Sequence, residues 1–128
     1  MSPNKFGEFV SERRKEKKIS LRKMAELLDL SPAYWSDIEK GRRNPPNINK
    51  LQEIANILGL SHDELDDMID IASEDRDEIP MDLPDYIKES NLARTALRKA
   101  RKMDEVEGKS GVTEKAWKDF IKALEEEE

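Results

Sequence analysis

The sequence predicts an all-α chain, a five-helix head followed by a two-helix C-terminal extension. Three observations predict it. Apolar residues recur three or four apart through most of the chain, the spacing that lines one face of a helix. Capping residues (Ser20, Ser31, Asn47, Ser61) stand just before those runs. Between Ser20 and Gly41 lie two short helical patterns joined by a tight corner.

Taken in order, a first helix from about Asn4 to Lys17 carries Phe6, Phe9 and Val10 at helical spacing. Helices two and three occupy about 21–28 and 32–40. Met24, Ala25 and Leu28 form the inner face of the second, Leu30 falls in the corner, and Trp35 with Ile38 marks the buried face of the third. Gly41 can take the left-handed conformation that ends a helix. Pro45-Pro46 stiffens the next loop, and Asn47 caps a fourth helix to about Leu58 with Leu51, Ile54, Ala55 and Leu58 on its stripe. Ser61 followed by Glu64 is a capping box that opens a fifth helix to about Ala72.

Residues 1–72 are therefore read as the head and 73–83 as an acidic linker, from Ser73-Glu74-Asp75-Arg76-Asp77-Glu78 and the prolines that follow. Residues 84–128 form the extension. There, one helix from Pro84 to Val106 carries Ile87, Ala93, Ala96, Leu97, Ala100 and Met103. A break runs from Gly108 to Gly111, and Thr113 caps a last helix bearing Trp117, Phe120, Ile121 and Leu124. Neither helix can bury its stripe alone, so each must pack on its neighbour, on the head or on a second subunit. Glu125–Glu128 reads as a solvated tail.

Composition narrows the function. Charged residues make up 41% of the 128 positions and aromatics 5%, so the core is modest and mainly aliphatic. Residues 1–56 hold 12 Lys+Arg against 8 Asp+Glu, and residues 57–128 hold 11 against 21. The formal charge of −6 thus hides a basic stretch over residues 1–56 and an acidic remainder. For a charged partner the local patch decides rather than the net charge, because screening is short-ranged. There is no Cys, hence neither disulfide nor thiol chemistry, and His62 is the only histidine, which disfavours a zinc site. No apolar run approaches the length that spans a bilayer and no signal-peptide core is present, so a cytoplasmic protein without a cofactor is expected.

Two helices crossing steeply over a short turn, with a polar outer face on the second, form a unit that fits the DNA major groove. From Phe6 to Leu65 the chain resembles the helix-turn-helix domain of phage repressors and Cro proteins, the XRE family. The resemblance rests on Phe6, Val10 and Arg14, on Ile19-Ser20, on Met24-Ala25 and on Leu30-Ser31. It continues through Tyr34-Trp35-Ser36-Asp37-Ile38-Glu39-Lys40-Gly41, Arg42-Arg43-Asn44-Pro45-Pro46, and the run of Leu51, Ile54, Ala55, Leu58-Gly59-Leu60-Ser61 and Asp63-Glu64-Leu65. It covers about half the chain, and it implies a five-helix lambda-repressor-like DNA-binding domain.

By position in that family's motif, Pro32, Ala33 and Asp37 face base edges. Relatives often carry Gln, Arg, Lys or Ser there. Pro32 and Ala33 offer only apolar contact, as to a thymine methyl, whereas Asp37 can accept a hydrogen bond from cytosine N4. Pro32 is equally a favoured first helical residue, and Asp37 equally suits a solvated surface. Phosphate contacts are expected from Ser20 at the amide end of helix two, and from Arg22, Lys23, Tyr34, Ser36, Lys40, Arg42, Arg43 and Asn44. Leu21 stands where the family often has a phosphate-binding Gln. The resemblance also implies a structural ion pair, Arg14 with Glu39, joining helix one to the recognition helix. Trp35 takes the family's buried aliphatic place, so it reads as core rather than as a base-stacking platform.

The leading functional expectation is a sequence-specific transcriptional regulator, a repressor that binds double-stranded DNA as a homodimer on a pseudo-palindromic operator. The dimer contact would come from helix five or from the 84–106 helix. The extension also resembles, diffusely, the tails of repressors encoded beside a zinc metallopeptidase, which implies such a peptidase as partner. A second class is a protein-interaction module whose acidic tail docks a toxin, as antitoxins do. An enzyme is poorly supported: there is no Cys nucleophile, no phosphate-cradling Gly loop and no metal-ligand spacing.

Overall fold

A computed structural model describes residues 4–107 and 111–127, all of whose regular structure is helical. The chain forms two units, Met1–Pro84 and Asp85–Glu128. The first holds α1 (Lys5–Glu16), α2 (Leu21–Leu27), α3 (Pro32–Glu39), α4 (Ile48–Leu58) and α5 (His62–Asp75). α1 packs on α3 and α5, α2 on α3, and α4 on α5.

Local chemistry starts each helix. The side chains of Asn4, Ser20, Ser31 and Asn47 accept from the backbone N–H three residues on, at 3.0–3.2 Å, satisfying one of the four free donors of each first turn. Ser61 and Glu64 exchange both bonds of a capping box, each at 3.1 Å. Pro32 is the first residue of α3, where its missing N–H costs nothing. Stops are equally local. Arg42 N–H returns to the Asp37 carbonyl at 2.8 Å around Gly41, whose φ is 78°. A side chain there would also meet Asn4, with a Cβ 2.8 Å from Asn4 Cγ. Asp29, at φ 58°, closes α2 without a glycine while Leu30 N–H bonds the Ala25 carbonyl at 2.9 Å.

The stripes meet in one core. Phe6, Val10, Met24, Ala25, Leu28, Trp35, Ile38, Leu51, Ile54, Ala55, Leu58, Met68, Ile69 and Ala72 are all buried. Burial of this apolar set, at about 25 cal/mol per Å², is what holds helices this short in place. α5 continues through Ser73, Glu74 and Asp75, three residues into the expected linker. Two bonds account for the extra turn. Buried Ser73 donates its hydroxyl to the Ile69 carbonyl at 2.7 Å, and the Asp75 carboxylate accepts Phe6 N–H, a free donor of α1, at 3.0 Å.

The second unit differs from expectation in two ways. The stretch expected as one helix is divided into α6 (Pro84–Glu89) and α7 (Asn91–Glu107). The divide is Ser90, whose hydroxyl accepts Ala93 N–H at 3.1 Å and so begins a new helix, the competition with helix interiors typical of serine. The last helix, α8 (Val112–Glu126), is entered through Gly111 at φ 86° and carries no side-chain cap, so Thr113 lies inside it rather than capping it. Gly108 of the expected break, and Glu128 of the expected tail, lie outside the described residues. α7 packs on α8, and Trp117 meets Phe120 edge-on, with ring centroids 6.3 Å apart. Leu92, Val106, Phe120, Ile121 and Leu124 remain more than half exposed.

Candidate nucleic-acid interface

α3 turns Trp35, Ile38 and Glu39 inward, which leaves Pro32, Ala33 and Tyr34 on its outer, leading surface. Trp35 is fully buried, so it is core. Its indole Nε1 is buried without a hydrogen-bond partner. Pro32 and Ala33 are exposed, and Asp37 and Ser36 lie one turn further on, half-buried.

Asp37 is not a lone acid. Its two carboxylate oxygens each lie 3.6 Å from a guanidinium nitrogen, one of Arg42 and one of Arg43. The Arg43 guanidinium also stacks over the Tyr34 ring, 4.5 Å from its centroid. The loop after α3 therefore folds back along the helix, and Tyr34, Asp37, Arg42 and Arg43 form one exposed cluster. Exposed ion pairs contribute about 0–1 kcal/mol, so neither arginine is committed to Asp37. Both remain available to a phosphate, for which a guanidinium fork is well shaped.

Lys40 and Asn44 are exposed beside this cluster, and Ser20, Arg22 and Lys23 are exposed at the start of α2. Lys23 Nζ lies 3.8 Å from Glu26 in the same helix. The partly buried Leu21 packs against the core, an apolar role that a Gln would not fill as well.

Arg14 and Glu39 meet beneath α3 in a two-pronged pair. Arg14 Nε donates to one Glu39 oxygen at 2.7 Å and Nη2 to the other at 2.9 Å. The third nitrogen, Nη1, donates to the Ile19 carbonyl at 2.9 Å, fastening the turn before α2 to the same side chain. Asn4 Nδ2 donates to the Glu39 carbonyl at 2.6 Å, so α1 grips the end of α3 twice.

Two polar side chains outside the expected set line the recess beside the cluster. Asn47 and Arg76 share an open recess of about 580 Å³ with Tyr34, Arg43, Asn44 and Pro45. Asn47 was legible as a cap. Nothing in the local spacing around Arg76, in an acidic stretch far along the chain, connects it with the loop after α3. Among the described residues no group of His, Cys, Asp or Glu could hold a metal, and no helix is long and apolar enough to cross a membrane.

The helix-turn-helix domain family matches residues 5–68, half of the chain, spanning α1 to the middle of α5. The HTH-type transcriptional regulator DdrOP3 of Deinococcus deserti is 32% identical over 89 residues, covering 69% of this chain and 68% of its own. The HTH-type transcriptional regulator SinR of Bacillus licheniformis is 26% identical over 116 residues, 91% of this chain and 88% of its own. No solved structure gives a significant match. The capped α2–α3 corner, the Arg14–Glu39 pair beneath it and these relatives agree: the chain belongs to the XRE family of helix-turn-helix DNA-binding transcriptional regulators.

Proposed function

We propose that the chain is a sequence-specific repressor that docks α3 in the major groove of a pseudo-palindromic operator as a homodimer. The observation that carries this reading is the exposed cluster of Tyr34, Asp37, Arg42 and Arg43 at the end of a helix whose leading residues are unencumbered. In this reading Pro32, Ala33 and Asp37 meet base edges. Ser20, Arg22, Lys23, Tyr34, Ser36, Lys40, Arg42, Arg43 and Asn44 meet the backbone, and phosphate contacts fix register while base contacts specify. One head of this size reads few bases, so useful affinity needs two heads on half-sites roughly 34 Å apart. The apolar residues left open on α7 and α8 support dimerisation through residues 84–128.

Selection of bound duplexes from a random pool, with and without residues 85–128, tests the proposal. It should return a two-fold motif with the full chain and half of that motif, bound more weakly, with the head. Log K should fall with log salt at about −0.9 per phosphate neutralised. Equal weak binding to every duplex would overturn it.

A second reading, an antitoxin-like module that docks a protein partner, is favoured by one observation. Pro32 and Ala33 offer no hydrogen bonds, and the one polar candidate, Asp37, is engaged by two arginines. The same selection separates the two, since the module yields no motif.

A further inference from the structure

The loop from Gly41 to Asn47 carries Arg42, Arg43 and Asn44, yet it has no regular structure of its own. Its first residues are tied to α3 through the Asp37 carbonyl, and its last is the Asn47 cap of α4. Between them stand Pro45 and Pro46, which have no N–H to donate. Pro45 is buried, and its carbonyl is met from the far end of the head: Arg76 Nη1 donates to it at 2.7 Å.

Arg76 is itself well held. It ends α5 and is followed by Asp77 at φ 56°, with Glu78 N–H returning to the Ser73 carbonyl at 2.9 Å. Glu78 also places a carboxylate oxygen 3.5 Å from Arg76 Nε. One residue earlier, Asp75 is bonded to Phe6 N–H, so the last turn of α5 is pinned to α1. The α5 terminus is thus a fixed post from which one guanidinium reaches the loop.

Exposure decides what that guanidinium does. The Arg76 side chain is 27% exposed, against 68% for Arg42 and 52% for Arg43. Arg42 and Arg43 can reach a phosphate. Arg76 donates to the Pro45 carbonyl and lies 3.5 Å from Glu78, its buried Nε making no hydrogen bond, and it lines the recess they share.

We propose that Arg76 is a positioning residue for DNA binding, holding the Pro45 carbonyl so that Arg42 and Arg43 are presented to the backbone without touching DNA itself. This rests on the DNA-binding reading above. It makes the end of α5 part of the interface machinery, although it is remote in sequence from the helix-turn-helix corner.

The test uses the full chain, a duplex taken from the selection above, and fluorescence anisotropy over a range of salt. Arg76→Met keeps the apolar stem and removes the donors. Its affinity should fall about tenfold, the scale of one charge-assisted hydrogen bond, with the salt slope unchanged. Arg76→Lys keeps a donor for the Pro45 carbonyl and should recover most of the loss. In an Arg42→Ala/Arg43→Ala background the effect of Arg76→Met should vanish, because the groups it positions are gone.

A slope reduced by about 0.9 would make Arg76 a direct phosphate contact and overturn the proposal. So would an unchanged affinity, or a deficit that persists in the double-alanine background alongside a lowered melting temperature. If Arg43→Ala weakens binding while Arg76→Met does not, this inference alone falls. If the full chain binds no duplex, the DNA-binding reading falls with it.

Discussion

Arg14 and Glu39, 25 residues apart, face each other through two parallel hydrogen bonds of 2.7 and 2.9 Å in the interior of the head. The pair couples the orientation of α3 to α1. A buried pair contributes little net energy when intact, but removing one partner strands a charge, at roughly 3–5 kcal/mol. Glu39→Ala should therefore lower the melting midpoint by more than about 10 °C, with DNA affinity lost as a consequence. Circular dichroism melting checks it, and a wild-type midpoint would remove the pair from the account of stability.

Gly7 gives a sharper steric test. A Cβ on Gly7 would collide with the Glu39 carbonyl, lying 2.7 Å from its carbon, where α1 crosses the end of α3. Helix propensity favours alanine over glycine by about 1 kcal/mol, yet backbone against Cβ has no flexible side chain to yield. The clash wins: Gly7→Ala should destabilise by at least about 2 kcal/mol in urea unfolding. A stabilised variant would mean that the two helices do not approach this closely.

Two acids of α5 pull stability in opposite directions with pH. The Ser61 backbone N–H, then its hydroxyl, and lastly Arg13 hold Glu64 below its ordinary value of 4.5. A depressed carboxyl contributes stability that is full above 4.5 and lost as pH falls through the folded value. Glu64→Ala should therefore cost most at pH 7, and its deficit should shrink in acid. Desolvation first, then Asp82, Asp66, Asp67 and Glu74, raise Asp70 above its ordinary 3.8. Its ionisation opposes folding, so Asp70→Asn should raise the midpoint at pH 7, with no gain once pH falls below 3.8. Melting curves at the two ends of that range decide both signs.

Arg43 and Asp37 should separate under mutation. If Arg43 contacts phosphate as proposed, Arg43→Ala should lower affinity alike for all sequences and reduce the salt slope by about one. Asp37→Ala should instead alter preference at one base position in each half-site. A selection repeated with each variant reads the preference, and fluorescence anisotropy over a range of salt reads the affinity and the slope. A uniform change from Asp37→Ala would show the carboxylate acting only on Arg42 and Arg43, to which it is already paired.

Most of the head was legible along the chain, for a physical reason. Helix starts depend on a side chain and an amide three residues away, so Ser20, Ser31, Asn47 and Ser61 announce them locally. The extension begins its helices less openly. There Ser90 divides one apolar stripe into two helices, and Gly111 opens α8 through its backbone conformation rather than a side-chain cap. The family resemblance carried the Arg14–Glu39 pairing, which periodicity alone could not supply.

Sequence by itself determined where the helices of the head begin, which of their faces are apolar, and that a basic stretch over residues 1–56 precedes an acidic remainder, since propensity, capping and charge are properties of neighbours. Only tertiary structure decided that Asn4 closes on the Glu39 carbonyl 35 residues away and that Arg76 reaches the Pro45 carbonyl across 31. Such bonds join atoms brought close by burial of the shared core, and no local pattern encodes the distance between them.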